Sequence, residues 1–165
     1  GAESFSNSSV KSKLNFNHPV KELIWVVQLD SNVDAGENRH TDFTDNGTGP
    51  NDYAGNDPMS DAKLQLNGHD RFSVRNAAYF NLVQPYQHHT RVPSTGVYSY
   101  SFALKPEEHQ PSGTCNFSRI DSATLQLVLS NATVEGTKTA KVRVYATNYN
   151  VLRVMSGMGG LAYSN

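Results

Sequence analysis

Two adjacent histidines, His88-His89, are the first side chains in this sequence that suggest metal chemistry. A metal site needs imidazoles that converge, and neighbours on an extended chain point to opposite faces. Neither His-x-His nor His-Glu-x-x-His spacing accompanies them, so no metal ligand is assigned. Asp30, Asp34, Glu37, Asp42, Asp45, Asp52 and Asp57 offer the oxygen ligands that Ca²⁺ favours. They lack the EF-hand order of acidic residues, glycine and closing Glu, and read as a solvated loop. Ser112-Gly113 has no glycine two residues ahead of the serine to form a nucleophile elbow, and Cys115 has no partner that spacing can place. No catalytic residue and no cofactor is assigned. Tyr79, Phe80, Tyr86, Tyr98 and Tyr100 could stack on sugar rings, which keeps a carbohydrate-binding module as the alternative function. Alternation instead puts Tyr98 and its face in a core and leaves Tyr79 and Tyr86 as interface candidates.

These residues hang on a frame set by Asn15 to Gln28. Pro19 fixes its own φ and pushes His18 towards an extended conformation, so the chain turns there without helix. Leu23 to Val27 is apolar, β-branched and aromatic, and reads as a strand. Leu23, Trp25 and Val27 form one face, Ile24 and Val26 the other, and both faces are apolar. An ordinary surface strand has only one such face. Ile24 and Val26 therefore need cover from a loop, another domain or another subunit, and they join the interface candidates.

Before this strand, residues 3–17 suggest two modest strands. After it, residues 29–61 are rich in Asp, Asn and Gly and show no apolar period, so they read as a long loop that a short Gly/Ser linker could replace over 36–56. Ala62, Leu64 and Leu66 alternate with polar residues, then Asn67-Gly68, then Arg71 to Arg75 alternate again. Asn-Gly between alternating runs predicts a hairpin. Asn76 is expected to cap a helical turn that stops near Val83, before Pro85. Tyr98, Tyr100, Phe102 and Leu104 share a predicted strand face; Ala123 to Leu129 and Val142 to Ala146 alternate likewise. About eight strands with little helix predict an all-β two-sheet sandwich.

The chain has 165 residues, which suits a single domain, and 18% of them are charged. No apolar run reaches bilayer length, and no signal-peptide pattern opens the sequence. One cysteine excludes an internal disulfide framework. A net charge of −1 without a basic cluster argues against direct nucleic-acid contact.

The stretch Asn15 to Gln28, the segment Gln110 to Asp121 and the ending Tyr145 to Asn165 resemble the C-terminal part of the major capsid protein of large icosahedral DNA viruses of the iridovirus and phycodnavirus kind. That resemblance implies an eight-stranded antiparallel jelly-roll sandwich, the second of two in the family's subunit. It implies a structural virion protein with no enzymatic role. The subunit would trimerise into pseudo-hexagonal capsomers of a shell assembled in the host cytoplasm. Its partners would be other copies of itself, the missing N-terminal jelly roll and minor capsid proteins. With strands lettered B to I, the Asn-Gly turn joins E to F. The D–E, F–G and H–I connections then share one loop-rich end that faces outward, and the C–D corner and E–F turn make the other end tight. Cupin enzymes also use a jelly roll, but the absent metal spacing removes them.

Overall fold

The computed structural model describes residues 3–45 and 55–163; Asp52 and positions 46–54 of the 36–56 replacement lie outside them. Strands β1 (Glu3–Phe5) and β2 (Ser9–Leu14) precede the Asn17-His18-Pro19 corner, and β3 runs Pro19–Leu29. A 3₁₀ turn at Asp30–Val33 and the acidic segment lead to β4 (Met59–Leu66). Then come β5 (His69–Asp70), β6 (Arg75–Asn76), a π-helical turn at Tyr79–Val83 and helix α1 (Gln84–His88). Strands β7 (Val97–Ser101), β8 (Cys115–Asn116) and β9 (Ala123–Leu129) are followed by helix α2 (Asn131–Val134). The described chain closes with β10 (Ala140–Asn148), β11 (Leu152–Met155) and β12 (Met158–Leu161).

Two antiparallel sheets form, in the orders β1-β10-β3-β7 and β2-β9-β4-β5. In the lettering above these are B-I-D-G and C-H-E-F, the jelly-roll order. The strand segments outnumber eight because F is split into β5 and β6, β8 adds to the start of β3, and β11–β12 stands apart as a hairpin. Inward residues are those the alternation selects. Leu23, Trp25 and Val27 from β3 and Val10, Leu64, Leu125, Leu127 and Leu129 from the opposing sheet are all at most 2% exposed. Each such burial contributes roughly 1.5–3 kcal/mol. Trp25 sits among aromatic rings, with Phe80 5.1 Å away edge-on and Tyr98 at 6.1 Å. The predicted hairpin turn is present: Asn67 and Gly68 have φ of 51° and 82°. The Asn67 side chain also accepts from the backbone N–H of Asp121 and Ser122 at 3.0 and 3.2 Å, tying the turn to the start of β9.

Several local expectations fail, each for a physical reason. Strand F does not run through Arg71 to Val74. Phe72 leaves the ladder to lie against Tyr100 (4.7 Å) and Phe80 (5.5 Å), and Val74 ends up 56% exposed. The helical turn does not stop before Pro85 but continues to His88. A π turn, closed by Gln84 N–H to Tyr79 O, sets Pro85 in the first turn of α1, where its missing N–H breaks nothing. Strand β7 ends at Ser101, because the N–H groups of Phe102 and Ala103 both turn to Lys21 O; Leu104 is 72% exposed rather than on the core face.

The D–E, F–G and H–I connections do gather at one end. Asp30 N–H donates to Thr139 O and Thr133 Oγ1 to Pro58 O, and Gly96 lies so close to Phe43 that a Cβ there would sit 2.0 Å from its carbonyl oxygen. The opposite end is not tight, however. It carries the G–H connection, whose Phe117 N–H bonds His18 O, and the chain beyond β10, whose Tyr149 N–H bonds Pro19 O. The acidic segment is also not a solvated excursion. Asn32, Arg39, Asp42, Thr44 and Asp45 are buried. Arg39 Nη1 lies 3.2 Å from Asp42 Oδ2, and Asp42 Oδ1 accepts from Thr44 N–H (2.9 Å) and Thr44 Oγ1 (2.7 Å). Buried polar groups need such partners, and a segment this polar found them within itself.

Candidate interaction surface

The even-numbered residues of β3 (Glu22, Ile24, Val26 and Gln28) point away from the core. Their cross-strand neighbours share that outer face: Ser101, Ser99 and Val97 on β7, Thr147, Tyr145, Arg143 and Lys141 on β10. Much of the cover they need comes from this chain. Gln28 Nε2 donates to His40 O at 2.8 Å and its Oε1 accepts from Arg143 Nη1 at 2.6 Å, which closes the end near the acidic segment. Val26 is buried, at 6% exposed. Ile24 is half-buried, in a cavity of about 210 Å³ lined by Pro85, His89, Arg91, Val92 and Pro93 as well as Val97 and Ser99 of β7.

The other end is held by His89, whose Nε2 lies 2.8 Å from Glu22 Oε2 and whose Nδ1 lies 3.1 Å from Glu107 Oε1. Glu107 also accepts from Thr90 N–H at 3.2 Å. The histidine pair is thus a clasp joining strand, helix end and G–H connection. His88 makes its own contact, Nδ1 to Leu104 O at 3.0 Å. The hydrogen bond from His89, with the Thr90 bonds, holds the Glu107 carboxyl below its ordinary value of 4.5. A lowered carboxylate contributes stability that is present above its unfolded pKa and lost as pH falls through the folded one. Glu107→Gln should therefore be less stable than the parent at pH 7, and the gap should close as pH falls below about 4. Urea midpoints measured against pH check this, and a gap independent of pH contradicts it.

Of the four candidates, Ile24 lies beside α1, the helix that carries Tyr86. Tyr86 is 84% exposed. Tyr79 is tied into the fold: its hydroxyl accepts from Gln84 Nε2 at 2.9 Å and Arg75 stacks 5.5 Å above its ring. Phe80, Tyr98 and Tyr100 are buried, so the aromatic set is no sugar platform. Tyr98 gives its hydroxyl to Asp57 at 2.9 Å, and burial pushes its phenol pKa up. Burial likewise pushes up the half-buried Cys115 thiol, which disfavours the reactive thiolate. Two outer-face residues were not singled out from sequence: Tyr145, 56% exposed opposite Ile24, and Val92, 46% exposed. Tyr145 was findable, since it alternates with the core residues Val142 and Val144. With Ile24 they make a discontinuous apolar surface on and beside β3.

Comparison with known proteins bears on what this surface meets. The family described as large eukaryotic DNA virus major capsid protein matches residues 2–160. The chain is 49% identical to the major capsid protein of Phaeocystis pouchetii virus, matching 100% of this chain and 47% of that protein. It is 43% identical to that of Paramecium bursaria Chlorella virus 1, over 97% of this chain and 44% of the relative. Among solved structures, the PBCV-1 virus capsid superposes with a TM-score of 0.73 at 38% identity, covering 100% of this chain and 49% of that one. The Faustovirus major capsid protein, at 12% identity and a TM-score of 0.70, shares the fold. The chain spans about half the length of the two viral relatives named and of the PBCV-1 capsid chain, and 32% of the Faustovirus protein.

Proposed function

Because the chain belongs to the major capsid protein family of large eukaryotic DNA viruses, we propose that it is a structural unit of an icosahedral virion shell. It acts as the second jelly roll of a tandem pair, in a subunit that trimerises so that six jelly rolls make a pseudo-hexagonal capsomer. The observation that carries this reading is the likeness to the PBCV-1 capsid over all of this chain but only 49% of that one, the share expected of one sandwich in two. The mechanism is burial at symmetric contacts, with no catalytic step and no cofactor. Its partners are the companion jelly roll, further copies of the subunit and minor capsid proteins. A net charge of −1 supports a subunit that leaves DNA contact to other components. Assembly takes place in the host cytoplasm, and the D–E, F–G and H–I end faces outward.

In this reading the outer face of β1-β10-β3-β7, with Tyr86, Val92 and Tyr145, is a flank that meets a neighbour. Aromatic residues of this kind are the usual anchors of interfaces. Tyr86→Asp should leave the melting temperature unchanged within about 2 °C, since an exposed surface substitution changes stability by at most ~0.5 kcal/mol. It should also shift the full-length subunit from trimer towards monomer. Light scattering after size exclusion reads both states; a parent subunit that stays monomeric at every concentration contradicts the proposed function.

A further inference from the structure

The hairpin β11–β12 carries five large apolar side chains and no core. Leu152, Val154, Met155, Met158 and Leu161 are between 62% and 74% exposed. Its register sets Leu152 beside Leu161 and Met155 beside Met158. Residues two apart share a face, so Leu152, Val154 and Leu161 occupy one side and the two methionines the other. The first side is apolar and wet, and the second joins the two exposed methionines to Arg153, which shares their face. A lone two-stranded hairpin is marginal in water, and a continuous exposed apolar surface marks a contact site.

The base of this arm is nonetheless fixed. Asn150 Oδ1 accepts from the N–H groups of Val151 (2.8 Å) and Tyr163 (3.2 Å), and its Nδ2 donates to Tyr163 O at 2.9 Å. The Tyr163 ring lies 5.9 Å from that of His18 at the C–D corner. A Cβ built on Gly159 or Gly160 would meet nothing within 4 Å, so each face has an open strip where another backbone can approach. The arm is aimed, and it carries exposed large apolar side chains on both faces, with Arg153 beside the methionines.

We propose that β11–β12 is a clamp that docks on the other half of the full-length polypeptide, holding the two jelly rolls of one subunit in register. This rests on the tandem reading above. Two observations select that occupant over a second copy. The chain accounts for 47%, 44% and 49% of the two viral relatives and the PBCV-1 capsid chain above, so each of these holds at least as much polypeptide again outside the match. Two four-residue strands are also too small to bury the roughly 1,200–2,000 Å² of a stable contact between free proteins. A partner in the same polypeptide needs far less area, because tethering presents it at an effective concentration of about millimolar.

The test places the photo-crosslinker benzoylphenylalanine at position 154 of the full-length subunit, in a mixture of ¹⁴N- and ¹⁵N-labelled copies. Mass spectrometry of the digested products should find position 154 joined to peptides outside residues 1–165, light to light and heavy to heavy. Light-to-heavy products, products confined to residues 1–165, or no product at all overturn the clamp. Light scattering on the same sample reads the trimer separately, so a trimer with light-to-heavy crosslinks defeats the clamp alone, and a monomer defeats the shell reading. In the 165-residue chain, Leu152→Ser with Leu161→Ser should melt within about 1 °C of the parent, as expected of substitutions that touch no core. A fall of several degrees would mean that the arm packs on its own half and would also overturn the proposal.

Discussion

Asp42→Ala is expected to lower the unfolding free energy by about 3–5 kcal/mol, the usual cost of removing one partner from a buried ion pair. The Arg39 side chain is 4% exposed and that of Asp42 0%. Among the described residues, deleting the carboxylate leaves the buried guanidinium with Glu37, at 3.4 Å and itself 45% exposed, as its remaining counter-charge. The two hydrogen bonds that Asp42 Oδ1 accepts from Thr44 go with it. Neighbouring bonds spread the damage, because Arg39 N–H donates to Asn32 O and the Asn32 side-chain Nδ2 donates to Asp42 O. Urea unfolding measures the loss. Asp34→Ala, at an exposed position of the same segment, is the control and should change stability by less than ~0.5 kcal/mol. Equal effects at the two positions would mean that the segment is the solvated loop its composition suggests. The same network predicts that a Gly/Ser linker in place of residues 36–45 prevents stable folding, the reverse of what the sequence alone leads one to expect.

Trp25→Ala should cost a similar 3–5 kcal/mol, by opening a cavity between the sheets. Trp25 is 0% exposed at the middle of β3, and its ring packs on Phe80 from the helical connection and Tyr98 from β7. Its removal therefore loosens three elements at once. Trp25→Phe should cost clearly less. It keeps most of the ring, and the indole Nε1 it deletes has no hydrogen-bond acceptor among the described residues. A buried donor without a partner is a standing penalty, so its loss offsets part of the lost packing. Chemical denaturation of the two variants checks the order; Trp25→Phe equal to Trp25→Ala would mean that the indole N–H is bonded after all.

Why Trp25 was legible and Asp42 was not follows from how each is held. The β3 core face, the Asn67-Gly68 hairpin and the alternation of Ala123 to Leu129 are period-2 patterns whose burial is decided by neighbours in sequence. Strand F failed because Phe72 is recruited by Phe80 and by Tyr100, neither of them a neighbour that alternation along the strand can see. Pro85 failed because a single π turn changes which N–H the helix needs. The acidic segment failed because composition cannot tell a carboxylate facing water from one facing Arg39. Of the surface, Ile24 and Val26 announced themselves by making a strand apolar on both faces, and their cover proved to be largely the chain's own helix and loops. Tyr86 was visible only as an aromatic outside any strand. Leu152 and Leu161 hid in a glycine-rich ending whose pairing depends on a turn at Ser156-Gly157, with φ of 51° and 77°.

The central claim is that this sandwich is building material of a virion shell, and electron cryomicroscopy of purified particles tests it most directly. A map at side-chain resolution should show capsomers of six sandwiches. Three of them, related by a threefold axis, should accept the β1-β10-β3-β7 and β2-β9-β4-β5 sheets with density for Trp25 between Phe80 and Tyr98. A shell whose sandwiches refuse this sequence, or in which it is absent, would contradict the account.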